Sequence, residues 1–132
     1  MRVAVWFSNY GLPNNKFELP YIAQSPVLLK KIEYETDQDV LQEINRVIEE
    51  SNIRGYDIGK SLYFQMPFFC NPIEYISQWC WDAITDYFIV KKFNTPLATS
   101  IDNVNIWLVD CFSVIEQELN NISVYEKVKN GS

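Results

Sequence analysis

The chain of 132 residues is 48% hydrophobic and 15% aromatic, enough apolar surface for a packed core, and fits one domain over residues 1–132 with no membrane span. A formal charge of −6 disfavours nucleic acid and anionic membrane surfaces as partners, and the absence of histidine removes Ser-His, Cys-His and most zinc chemistry. Cys70, Cys80 and Cys111 are odd in number and form no CxxC pair, so they point to buried reduced thiols rather than a disulfide framework or a metal knuckle.

Residues 2–7, RVAVWF, are β-branched and aromatic and predict a buried strand, followed by turn chemistry in NYGLPNNK. The apolar part is too short for a signal-peptide core and no small-residue cleavage site follows it, which predicts a soluble, cytoplasmic chain. In LLKKIEYE, residues 28–35, Leu28, Ile32 and Tyr34 share one parity as in a strand. Ser25 and Pro26 would equally suit a helix N-cap and first turn, so both readings stay open. From Thr36 or Asp37 to about Ser51, the stripe Val40, Leu41, Ile44, Val47 and Ile48 predicts an amphipathic helix lying on the core.

After the loop NIRGYDIGK, Gly59-Lys60-Ser61 matches the end of a phosphate-binding loop. Arg54 stands where the first glycine belongs, Gly55 is one residue out of register, and the following SLYFQM alternates as a strand ended by Pro67. The segment therefore predicts a turn feeding a strand. Asn71, Pro72 and Glu74 supply an N-cap, a first-position proline and a first-turn acid for a helix from Pro72 to about Lys92. FNTPLATS connects it to a last helix, capped by Ser100 or Asp102 and running to about Asn120. Its stripe is Ile101, Val104, Leu108, Cys111, Phe112, Ile115 and Leu119, and the polar tail 121–132 is expected to fray. These elements predict an α+β fold of three main helices packed on a small β-sheet, with an all-α bundle as the alternative.

Two surfaces stand out on the predicted helices. On the helix from Pro72, the core arc is Ile73, Ile76, Cys80, Ala83, Ile84, Tyr87 and Phe88, with Trp81 at its edge. Tyr75, Trp79, Asp82 and Asp86 fall outside that arc at i, i+4, i+7 and i+11. Aromatics interleaved with acids on a helix rim have the chemistry of an interface hot spot; packing under the tail or the first strand is the competing role for Tyr75 and Trp79. Residues 33–50 carry seven acids against one base, and the rest of the chain is balanced. Asp39, Glu43 and Glu50 share a narrow arc there, a second candidate partner surface beside the bland alternative of a solvated face.

Small, acidic, histidine-free, aromatic-rich and without catalytic motifs, the chain resembles the immunity proteins of bacterial polymorphic-toxin systems, including those of contact-dependent growth inhibition. That resemblance lies in size, charge and composition, and carries over no residue roles. It implies a non-catalytic protein that binds a basic toxin or nuclease domain and covers its active site, with no cofactor and no metal. A phage-type inhibitor of a host nuclease has the same composition, and a helical adaptor subunit of a cellular complex is the alternative from a different class.

Overall fold

The N-terminal run that reads as a strand is a helix. In a computed structural model of the protein, which describes residues 1–14, 16–93 and 106–131, α1 spans Arg2–Tyr10. A hairpin of β1 (Tyr21–Ser25) and β2 (Lys30–Tyr34) follows, then α2 (Asp37–Arg54), α3 (Ile58–Gln65), short 3-10 turns at Met66–Phe68 and Pro72–Glu74, α4 (Gln78–Phe93) and α5 (Ile106–Gly131). The fold is α+β, as predicted: a mainly helical body with a two-stranded antiparallel sheet.

Val3, Ala4, Val5, Trp6 and Phe7 are all buried, so this run of α1 is covered all round, with α3, α4 and α5 packed on it, and only Ser8 and Asn9 near its end are exposed. A helix apolar all round belongs at the centre of a fold, and its short continuous run has no period that separates it from a buried strand. The core has two clusters. One joins the hairpin, α2 and α3 around Tyr34, Val40, Val47, Leu62 and Phe69; the other joins α1, α4 and α5 around Trp6, Ile84, Tyr87 and Ile115. Tyr63, Ile76 and Trp81 pack against both.

SLYFQM is likewise helical. Asp57 caps α3 by accepting from the Gly59 amide at 3.1 Å, and Leu62 and Met66, four residues apart, are the buried pair. Gly59 answers to close packing rather than to phosphate. A side chain there would collide with Glu118 Oε1 and lie 3.0 Å from Trp6 Nε1, so only hydrogen fits between α3 and the α1–α5 junction. Gly59→Ala is accordingly expected to cost about 1–3 kcal/mol through overpacking, measured by urea denaturation; an unchanged midpoint would contradict it.

LLKKIEYE resolves as β2, in register with Tyr21 opposite Tyr34 and Ala23 opposite Ile32. The predicted helix from Pro72 is interrupted: its first turn is 3-10, and α4 starts only at Gln78. The last helix continues past Asn120 to Gly131, with Ile122 buried and Tyr125 packed beside Trp6, so the polar tail is folded into the helix and docked on the core. Its expected start at Ser100 or Asp102, together with Ile101 and Val104, lies outside the described residues.

Cys70, Cys80 and Cys111 are buried and free. Burial, helped by the charge of Glu74, pushes the Cys70 thiol up to about 12. All three are expected to react slowly with a thiol reagent in the native protein and quickly after denaturation; one fast native thiol would contradict this packing.

Candidate protein interface

The three candidate acids of α2 are already engaged within the chain. Asp39 belongs to a capping box: its Oδ2 accepts from the Thr36 amide at 3.2 Å and the Glu35 amide at 2.9 Å, while the Thr36 hydroxyl accepts from the Asp39 amide. Glu50 pairs with Arg54 at 2.5 Å, an i, i+4 bridge. Glu43, expected on the surface, is 0% exposed. It accepts from the Ser25 hydroxyl and from Arg46 Nη1 at 2.5 Å, and Ser25 Oγ in turn accepts from the Leu28 amide at 3.0 Å.

Glu43 therefore ties the hairpin turn to α2. The buried line of this helix is Val40, Glu43, Val47 and Ser51, and Leu41, assigned to the stripe by sequence, is exposed. Polarity hid the position. A carboxylate with a hydroxyl and a guanidinium waiting for it can occupy a core site that hydropathy assigns to an aliphatic residue.

Tyr75 is also misplaced by the uninterrupted-helix reading. It lies in the break between the 3-10 turn and α4, half-buried, and its hydroxyl donates to Asp37 Oδ1 at 2.9 Å. Burial, then the Asp37 bond, pushes its phenol above the usual tyrosine range. Tyr75 thus staples the α2 N-terminus to the start of α4, over a shallow groove of about 510 Å³ lined also by Leu41 and Glu74. The same break puts Ile73 in solvent, and Phe88 is exposed on the far side of α4, so both leave the predicted core arc.

The other three members of the predicted ridge do stand together on the surface of α4. Trp79 is 43% exposed, and Asp82 and Asp86 are exposed beside it. The series continues beyond the sequence reading: Ile89 and Phe93, both exposed, extend it at i+10 and i+14 from Trp79. From α5, Trp107, 50% exposed, packs edge-on against Trp79 with ring centroids 5.2 Å apart. Heptad-like spacing from Trp79 would have disclosed Ile89 and Phe93, whereas Trp107 is brought in only by the helix pairing.

This ridge sits on a fixed base. On the inner side of α4, Cys80, Ala83, Ile84 and Tyr87 are buried, and Tyr87 meets Phe112 of α5 edge-on. Glu116 of α5 accepts from the Tyr87 hydroxyl at 3.2 Å and pairs with Lys91 at 2.8 Å. Lys91 beside it holds the Glu116 carboxyl below the usual range. Exposed aromatics on a rigid, already paired scaffold lose little conformational freedom on meeting a partner, and flanking carboxylates select a partner of opposite charge.

Among the described residues, no group of three or more His, Cys, Asp or Glu is arranged to hold a metal ion, and no helix is long and apolar enough to cross a membrane. Comparison with protein-family models, with curated proteins and with solved structures finds no match.

Proposed function

We propose that the chain is a non-catalytic binding protein that neutralises a basic toxin or nuclease domain by docking its α4–α5 ridge over the active site. The observation that carries this reading is the solvent-facing Trp79–Trp107 pair flanked by Asp82 and Asp86. Paired tryptophans supply large contact area at low entropic cost, and the two carboxylates favour a cationic surface such as one that grips nucleic acid. Asp39, Glu50 and Glu43 of α2, consumed by a cap, a bridge and a buried tie, contribute less to that surface than the charge of this helix suggests.

Its test is neutralisation. The terminal domain encoded by the gene directly upstream is expressed in a host with or without this chain, and growth and nucleic-acid integrity are followed. The expected result is toxicity relieved by the wild-type chain and restored by Trp79→Ala combined with Asp82→Lys and Asp86→Lys. Relief by the triple variant equal to wild type would move the surface elsewhere, and a toxin unaffected by the wild-type chain would defeat the reading.

A further inference from the structure

Three elements meet at Glu118, a glutamate with 0% exposure in the middle of α5. From α1, Arg2 Nη1 donates to its Oε2 at 2.7 Å and Trp6 Nε1 to its Oε1 at 3.0 Å; from α5 itself, Asn121 Nδ2 donates to Oε2 at 3.2 Å. The third element is α3. Its cap Asp57 spends Oδ1 on the Gly59 amide, while Oδ2 is buried with no donor. Glu118 Oε1 occupies the space a Gly59 side chain would need, which places it against the same helix start.

Lone-pair accounting calls for one proton between the two carboxyl groups. Oε2 of Glu118 is filled by two donors, whereas Oε1 receives one and has room for a proton of its own. An orphaned carboxylate oxygen facing a second carboxylate is costly, and two such groups side by side do not both ionise readily. We propose that Glu118 keeps its proton and donates it to Asp57 Oδ2, so that the pair forms a proton-dependent latch fastening α5 to α3 and α1. The buried cluster is then neutral, one guanidinium against one shared negative charge, as burial favours.

Burial, together with the neighbouring Asp57, raises the Glu118 carboxyl against the lowering effect of Trp6 and Arg2. The charged and titratable groups around it are Arg2 from α1, Tyr56, Asp57 and Lys60 from α3 and its lead-in, and Tyr125 and Lys129 on α5 along the adjoining groove. A carboxyl raised in the folded state stabilises it fully below the unfolded-chain value. That contribution fades as pH rises through the folded value.

The test is carboxyl-resolved NMR of the intact chain carrying ¹³C-labelled Glu and Asp. At neutral pH one protonated carboxyl signal is expected, absent from Glu118→Gln and present in wild type. The amide nitrogen of Glu118→Gln can donate to Asp57 Oδ2 but no longer accepts from Trp6 Nε1, so this variant is expected to melt below wild type at acidic pH, with the deficit narrowing as pH rises above the ordinary glutamate range. Should the variant not fold, the wild-type spectrum alone decides: Glu118 and Asp57 both titrating as ordinary carboxylates would overturn the latch.

Discussion

Glu43→Lys unfolds the protein, or leaves it weaker by about 3 kcal/mol or more, as for any buried pair stripped of one partner. The substitution sets an ammonium where Ser25 and Arg46 both present donors, and it frees the hairpin turn from α2. For a chain of this size the corresponding fall in melting temperature is on the order of 10 °C, read by circular dichroism. Arg46 is partly exposed and can swing into solvent, which spares one charge, but the hydroxyl and the introduced lysine stay buried. Glu49→Lys, on the exposed side of the same helix, is the matched control and is expected to stay within about 0.5 kcal/mol of wild type. Equal stability of the two variants would contradict the tie between hairpin and helix.

Trp79→Ala has its large effect on binding instead. Nearly half of the residue is in solvent, and the Trp107 ring packs edge-on against it, so the folding cost is about 1 kcal/mol. Loss of an interface anchor costs about 2 kcal/mol or more, roughly a thirtyfold rise in Kd carried by faster dissociation. Asp82→Lys with Asp86→Lys is expected to act on the other rate, slowing association and flattening its salt dependence. Surface plasmon resonance at two salt concentrations separates the two effects; unchanged dissociation of the Trp79 variant would remove Trp79 from the interface.

The elements that sequence placed well share a strong local signal. Helix α2 carries its stripe and its Thr36–Asp39 capping box within the chain segment itself, whereas the parity of Lys30–Tyr34 left strand and helix both open until the pairing with β1 decided for the strand. Residues 2–7 failed because a helix buried on all sides has no polar face to betray its period, and SLYFQM failed because Leu62, Phe64 and Met66 satisfy alternation although only Leu62 and Met66 point inward. Asp57 was the available clue to α3, an N-cap one residue before it.

For the surface, the outcome divides by mechanism. Trp79, Asp82 and Asp86 were legible because one unbroken helix carries them. Tyr75 was not, since the 3-10 break resets the register between it and Trp79. Glu43 and Glu118 show why charge alone misleads: each is a carboxyl side chain drawn into the core by donors distant in sequence, Ser25 for one and Arg2 and Trp6 for the other. No local pattern announces such partners.

Hydroxyl-radical footprinting of the four tryptophans, in the free chain and with the neutralised domain bound, tests the proposed surface most directly. In the free chain Trp79 and Trp107 are expected to oxidise readily, Trp81 less and the buried Trp6 hardly at all. Binding is expected to protect Trp79 and Trp107 together while the exposed Ile53 and Tyr56, at and just past the C-terminal end of α2, keep their reactivity. A bound complex in which Trp79 and Trp107 oxidise as fast as in the free chain would contradict the α4–α5 ridge as the docking face.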